Sequence, residues 1–566
     1  MSHKTRILNY ILPSFFFFIL AIMSILKYLS LHSSFFDLGI FLGIFYKFSH
    51  HGEWWLLFRG HAQPLIPLYA ALYKIFPENL VPLACLALQA FFLSLPGFWI
   101  IRRYGRLPFL FYVLYFPIWF NALFDFHMDH LAVPLLFFFY FLLEDGRYKL
   151  AALLAIFLIL VKEPFALQAA ACGVLLLLSS WQGKTHKDSP GDNKTFNYPQ
   201  IVLGLFIFFL GLGYFYWLIN CVFPVLTGKK GYLSVEAFSW MGNSVGEIFH
   251  FVVTHPVLIL KEILGNPGKL FFIFVIFAPF LFLSFLSPLY LIPAIPILAI
   301  ALLSHNPNHY GYAHHYTAGL VAPVFMSFVN SLSRMKRSTN VLLLLAFSSV
   351  FFHVMISPSP LSRLFWTNKV WNYGYEAYFL SERMDMIKEA MKKYVPENSR
   401  ISISTQNTLN WGYLAQRRYY FPYPLGVVEP ALVFSLKDFR FWSIMTGSQK
   451  EDLETESLVA TYQPVFAEYV LIDFKRPWYV ADQGCNWQVD KPLYLSRTEL
   501  ERFGIDKDLS LKWAGCAEKI KVNWKGPSGR IYHGNLKTVF LSLLEETFKM
   551  YKVVYENDGF MILKKR

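Results

Sequence analysis

Charge is what this sequence has least of. Of 566 residues only 16% are charged, while 55% are apolar and 19% aromatic. Soluble domains carry roughly 25% charged residues, so the composition excludes a disordered chain and fits an ordinary soluble enzyme poorly. The shortage is uneven: 35 charged residues fall in the first 360 positions and 53 in the remaining 206. A membrane-embedded part is therefore expected first, with a soluble-looking part after it. Acidic residues are also missing from the middle of the apolar runs, where a cation transporter would carry them. No internal repeat or low-complexity segment is present. The net charge of +14 does not read as a nucleic-acid footprint. The basic residues of the first part sit in short clusters between apolar runs rather than on one face, which is how membrane orientation is encoded.

A helix needs about 20 mostly apolar residues to cross the hydrocarbon core, with roughly 17 as a practical lower limit. Eleven runs bounded by charge, Pro or Gly approach that length, some of them short: 8–30, 80–101, 107–124, 131–144, 149–162, 165–182, 200–222, 270–287, 289–304, 317–333 and 340–357. Lys4 and Arg6 precede the first run and no small-residue cleavage site follows it, so it reads as an uncleaved signal anchor. With the N-terminus in the cytoplasm, the inner connections hold Arg102, Arg103 and Arg106, then Arg147 and Lys149, then Lys184, Lys187 and Lys194, then Arg334, Lys336 and Arg337. The positive-inside pattern is satisfied at almost every turn. The same count places 31–79, 125–130, 162–164, 223–269, 305–316 and everything after 358 outside a cytoplasmic (inner) membrane. The apolar stretch 64–76 is expected to lie along the surface, because a full span there would put the Arg102–Arg106 cluster outside.

The expected fold is thus a mainly α polytopic membrane protein over 1–357, with an extracytoplasmic α/β domain over 358–566. In the latter, 376–394 has helical spacing, 400–404 and 469–473 read as short strands, and 552–555 with 560–563 reads as a hairpin around Asn557-Asp558-Gly559. The five cysteines fall into two groups. Cys85, Cys172 and Cys221 lie in or at spans; Cys485 and Cys516 lie in the domain where oxidation is permitted, which makes a Cys485–Cys516 disulfide plausible.

Carboxylates and imidazoles gather at the external boundary, where burying a charge costs several kcal/mol unless it is paired or faces a wet cavity. The first cluster is Asp37, followed by His50, His51, Glu53 and His61; the second is Asp125, His127, Asp129 and His130. The third is Lys162-Glu163-Pro164, and the fourth runs from His305 through His309 to His314-His315-Tyr316. Each alone has a bland reading: a solvated loop, an ion pair at a helix end for Lys162-Glu163, or loop histidines such as His50-His51 and His314-His315 that lack a defined metal-binding spacing. His353, alone in its run, reads as a satisfied packing residue. The coincidence of four clusters on one leaflet, with no comparable set on the other, is what points to a membrane-interface enzyme.

At these residues the chain resembles a family of polytopic membrane proteins catalogued as domain of unknown function 2079, itself similar to glycosyltransferases of the GT-C fold. The resemblance rests on Phe36-Asp37-Leu38-Gly39-Ile40-Phe41, Arg59-Gly60-His61 with Pro64, Asp125-Phe126-His127 with Asp129, Val161-Lys162-Glu163, and His315-Tyr316. It extends through Ser402-Ile403-Ser404, Glu468-Tyr469-Val470-Leu471-Ile472-Asp473 and the closing hairpin. Asp129 stands where that pattern usually has Glu, and Pro164 where an acidic residue is common. The resemblance implies a lipid-linked sugar as donor and a glycan, lipid or protein as acceptor, with no nucleic acid. By the same analogy Asp37 is the general base for in-line displacement at the anomeric carbon. Asp125 and Asp129 would position the acceptor or a divalent cation, whose identity the sequence leaves open. Lys162, His309, His315 and Tyr316 would bind the leaving phosphate, and His61, His127 and Glu163 complete the substrate-binding set. Two other readings remain at this stage: a non-catalytic envelope scaffold, in which Asp37 and Asp125 point apart into solvent, and a transporter or lipid flippase, which needs a continuous route across the membrane.

Overall fold

The computed structural model describes residues 3–33, 35–58, 60–181, 198–224, 233–335, 338–367, 373–397, 401–406, 409–417, 420–423, 427–430, 462–465, 467–476, 493–494, 512–513, 521–525 and 530–566. Within them the chain is mainly helical. Five stretches are long and apolar enough to cross a membrane: Ile7–Leu29, Glu78–Arg103, Glu163–Ser180, Tyr198–Val222 and Thr339–Ile356. Two bent helix pairs raise the number to seven. The expected eleven runs therefore resolve into five to seven candidate spans by length and composition, because several runs are short or broken.

The breaks have local causes. The run 107–124 divides into α1 (Arg106–Leu114) and α2 (Phe116–Leu123), bent by 52° at Tyr115. Pro117 has no N–H to give to Val113, and its ring pushes the preceding chain out of helical geometry. The carbonyls freed there are not left bare. The Trp119 indole donates to Val113 O at 2.7 Å, and His353 Nδ1 lies 3.0 Å from Leu114 O. His353 is indeed satisfied, with Ser359 Oγ 2.6 Å from its other ring nitrogen.

The run 270–287 is likewise no single helix. Its helix, α3 (Pro267–Phe277), continues tightly to Phe280, after which Leu281 and Phe282 adopt left-handed φ values of 51° and 58°. Hydroxyls on two neighbouring helices, α4 (Ala318–Arg334) and α5 (Thr339–Ile356), reach the broken segment. Ser348 donates to Ala278 O and Ser349 to Pro279 O, each at 2.8 Å, and Ser327 Oγ lies 2.6 and 2.8 Å from Ser284 O and Ser287 O. Irregular backbone at membrane depth is tolerated where protein groups satisfy it in this way. The stretch 223–269, expected as a loop, also holds the helices Val245–Thr254 and Pro256–Leu264, whose apolar residues Phe249, Val253, Val257 and Leu260 are exposed, as on an interfacial helix.

The C-terminal part contributes a five-stranded sheet. With β1 (Ile403–Gln406), β2 (Tyr420–Tyr423), β3 (Tyr469–Asp473), β4 (Tyr551–Asn557) and β5 (Phe560–Lys565), the order is β4-β5-β3-β1-β2. β1 runs parallel to both β2 and β3, and the hairpin β4–β5 adds antiparallel to β3. Asp558 and Gly559 turn the hairpin at φ 48° and 79°, the pair of positive values a two-residue turn requires. The helix expected at 376–394 begins later, at Glu382, after a tight turn over Tyr375–Tyr378. Cys485 and Cys516 lie outside the described residues, as does the loop with Lys184, Lys187 and Lys194 that was expected on the cytoplasmic side; Cys85, Cys172 and Cys221 are free.

The sheet docks on the exit of the first helix. Buried Arg476 donates from Nη1 to Leu31 O and from Nε to Asp473 Oδ2 at 3.0 Å. Asp473 also receives both Nη groups of Arg383 at 2.7 and 2.9 Å, so its buried charge is compensated twice. Leu31 itself has φ 60°, a left-handed helix stop without glycine, and Arg476 ties down its carbonyl. Ser30 Oγ donates to Ala377 O, and the Gly412 N–H to the Tyr28 hydroxyl. The polypeptide just before Asp37 is thereby held between the helical part and the sheet.

Candidate functional site

Four segments far apart in sequence meet here. Asp37 sits in a widened helical turn, Phe35–Gly39; Asp125, His127 and Asp129 follow α2; Lys162 and Glu163 open the helix Glu163–Trp181; His309, His315 and Tyr316 precede α4. The turn after α2 is shaped by two polar side chains inside apolar runs. Lys27 Nζ donates to Leu123 O at 2.6 Å and Phe124 O at 2.7 Å, closing the end of α2. Gln89 donates to Asp125 O at 2.8 Å while its own carbonyl accepts the His127 N–H at 3.0 Å.

Acids and bases pair across these segments. Asp37 Oδ1 lies 3.3 Å from His127 Nε2. The His127 ring stacks on His315 with centroids 3.3 Å apart and planes 10° apart. His315 Nε2 is 3.4 Å from Asp129 Oδ2, which also faces Lys162 Nζ at 3.5 Å. Lys162 in turn lies 5.9 Å from the Tyr316 ring, which His309 also meets edge-on with centroids 5.2 Å apart. Glu163, fully buried, accepts from His61 Nδ1 at 2.6 Å and from the Ala62 N–H at 3.0 Å. Asp125 accepts the Ser33 hydroxyl at 2.9 Å and its neighbour's N–H at 3.0 Å. Asn410, from the loop after β1, reaches Ser33 Oγ at 3.4 Å, and a Cβ on Gly39 would lie 2.8 Å from its Oδ1.

Burial dominates the protonation of this cluster. It pushes the His127 imidazole down to about 3, against a raising pull from Asp129. It holds His315 well below the usual imidazole range, helped by His127 and Lys162, and brings His309 to about 4. These three imidazoles are therefore neutral near pH 7. A neutral ring offers one hydrogen-bond donor and one acceptor without adding charge to the site.

The expected residues come together, with two differences from the bland readings. Lys162 faces Asp129 while adjacent Glu163 faces His61, so the two turn to different partners. His50 stacks on Tyr46 and faces Glu78 at 3.5 Å, away from this cluster, and His314 packs edge-on against Phe124, leaving His315 to join His127. Sequence reading passed over Lys27, Gln89, Ser33, Asn410 and Arg476. For Lys27 and Gln89 the signal was present, since a polar side chain within an apolar run is functional or structural by default. Ser33, Asn410 and Arg476 carried none.

The family model described as predicted membrane protein, domain of unknown function 2079, matches residues 27–469. The chain belongs to this family. No curated protein matches it. The matched stretch of this family begins at Lys27, takes in every member of the cluster and ends at Tyr469 in β3, short of the hairpin β4–β5.

Proposed function

We propose that this protein is an integral membrane glycosyltransferase of GT-C type, moving a sugar from a polyprenyl-phosphate donor to an acceptor hydroxyl at the extracytoplasmic face. The observation that carries the reading is the convergence of Asp37, Asp129 and Glu163 with His127, Lys162 and His61 into one cluster of buried and half-buried acid–base pairs. Neither Asp37 nor Asp125 points away into solvent, which supports an enzyme over a scaffold.

In this reading eleven helical stretches cross or enter the membrane, the shorter ones extended by tight turns, with the N-terminus inside and residues 358–566 outside. Asp37 takes the proton of the acceptor hydroxyl as that oxygen attacks the anomeric carbon. The bond from that carbon to the phosphate oxygen breaks, and the polyprenyl phosphate leaves with the electron pair. Lys162, with the neutral His309 and the Tyr316 hydroxyl, meets the charge that develops there. Asp129 holds Lys162 in place until phosphate competes for it. Asp125, fixed by Ser33, and Glu163, fixed by His61 and the Ala62 N–H, position the acceptor.

The deciding experiment is lipid and glycan profiling of a strain lacking the gene, complemented by wild-type protein or by Asp37→Asn. Accumulation of one lipid-linked sugar, reversed by wild type alone, is expected. An unchanged lipid and glycan profile in the deletion strain would overturn the reading.

A further inference from the structure

Asp37, His127 and His315 each offer a ligand atom, and these atoms all lie within 4.8 Å of one another. The three come from separate segments: the turn after the first helix, the turn after α2, and the turn before α4. The two histidines are not held together by a hydrogen bond between them. His127 Nδ1 and both ring nitrogens of His315 are buried without a hydrogen-bond partner, and so is Asp129 Oδ1. The contact between Asp37 and His127 is long, at 3.3 Å, and the two imidazoles lie face to face with no bond between them. A buried donor or acceptor left unsatisfied costs about 1–3 kcal/mol, so an unpartnered ring nitrogen on each of two adjacent buried histidines calls for a group that uses it.

We infer that Asp37, His127 and His315 form a binding site for a divalent transition-metal ion. Two imidazoles and one carboxylate are the donor set of Zn²⁺ and its neighbours, whereas Mg²⁺ and Ca²⁺ take oxygen ligands. The two rings, now stacked with planes 10° apart, would turn from that arrangement for each to present a nitrogen to one ion. Asp129, 3.4 Å from His315 Nε2, supplies the acceptor that metal-bound histidines use to hold their orientation, and Lys162 beside it offsets the carboxylate charge. Of the two histidine pairs that could ligate a metal by sequence, His50-His51 and His314-His315, the site uses His315 alone. Metal binding at these residues is independent of sugar transfer. If both readings hold, the ion is the group beside Asp37 that meets the acceptor or the phosphate, and Asp37 acts from its coordination shell.

The test uses the full chain purified in detergent, stripped with a chelator, then offered Zn²⁺, Mn²⁺ or Mg²⁺ with no donor or acceptor present. Elemental analysis after desalting is expected to find about one equivalent of Zn²⁺ and no retained Mg²⁺. His127→Gln and His315→Gln should each weaken Zn²⁺ binding at least about 10-fold, Asp129→Asn about 10- to 100-fold, and the exposed His250→Ala not at all. Variants are scored only where gel filtration and circular dichroism match the wild type. Co²⁺ substituted into wild-type protein adds a second readout, its visible absorption bands changing in His315→Gln. Folded wild-type protein that retains no Zn²⁺, or folded His127→Gln and His315→Gln that bind it like wild type, would overturn the site and leave the transferase reading standing. Zn²⁺ retained by a protein whose deletion leaves lipid-linked sugars unchanged would do the reverse.

Discussion

Asp37 occupies the one position in the cluster where charge rather than packing sets the outcome. It is partly exposed, it faces a neutral histidine, and Asp37→Asn preserves its size. Loss of a positioned base costs at least about 10²-fold in turnover, so Asp37→Asn should accumulate and fold normally while activity in membranes drops by that factor. Full activity at normal abundance would remove the centre of the mechanism. Lys162 behaves differently because it is buried opposite Asp129. Lys162→Ala leaves an uncompensated buried carboxylate, at a cost of about 3–5 kcal/mol, so it should reduce the amount of folded protein as well as turnover. Gln89→Leu tests the turn itself. It strands the Asp125 carbonyl and the His127 N–H, and should destabilise by about 1–3 kcal/mol in a thermal melt while lowering activity through misplaced acids.

At the scale of elements, helix contacts without a hydrophobic drive depend on close approach. The helices Glu163–Trp181 and Tyr198–Trp217 cross so tightly that a Cβ on Gly211 would sit 2.4 Å from Ala166 O, and one on Gly173 2.6 Å from Gly204 O. Both obstacles are backbone, which cannot turn aside as a side chain can. Gly211→Val should force the pair apart and tilt the opening of the helix that carries Glu163. The expected readout is a lowered melting temperature in detergent together with reduced activity; unchanged melting would show that the contact tolerates separation. The serines that close the broken run 270–287 belong to the same scale. Each is worth about 1 kcal/mol as a hydrogen bond, and together they decide where that segment stops being a helix.

At the scale of the molecule, the contact between sheet and helical part carries a pH dependence of definite sign. His32 is buried beside Arg476, and burial, with the charges of Arg476 and Lys27, holds its folded-state value well below the ordinary imidazole value of about 6.5, against a raising backbone contact with Ser30. The unfolded or undocked chain therefore binds more protons than the native one below that value. Stability is fully present above about pH 6.5 and falls as the pH drops toward the folded value. Thermal midpoints measured from about pH 7.5 down to about pH 5 should fall for the wild type and fall less steeply for His32→Gln. The topology is a question of the same scale. Reporter fusions at Lys149 and Lys336 should give a cytoplasmic signal and one at Gly374 an external signal, with cytoplasmic activity at Gly374 reversing the assignment.

By itself the sequence determined the membrane class, the helical character of the apolar runs and the gathering of acids and imidazoles at their ends. These follow from transfer free energies that each residue contributes locally, and so they can be read one segment at a time. Tertiary structure decided the rest. That Asp37 meets His127, that Glu163 turns to His61 while its neighbour turns to Asp129, and that His315 rather than His314 enters the cluster all depend on packing between segments up to about 280 residues apart. Composition is also blind to where a run breaks. Pro117 marks one break in the sequence, but the left-handed turn at Leu281 and Phe282 has no such mark, and the carbonyls on either side of it are satisfied by hydroxyls donated from helices later in the chain. Arg476 is the plainest case: a charged residue just past a strand, with no mark of a special role in the sequence, which only the folded chain buries against the carbonyl of Leu31, because a guanidinium and a helix end satisfy each other there.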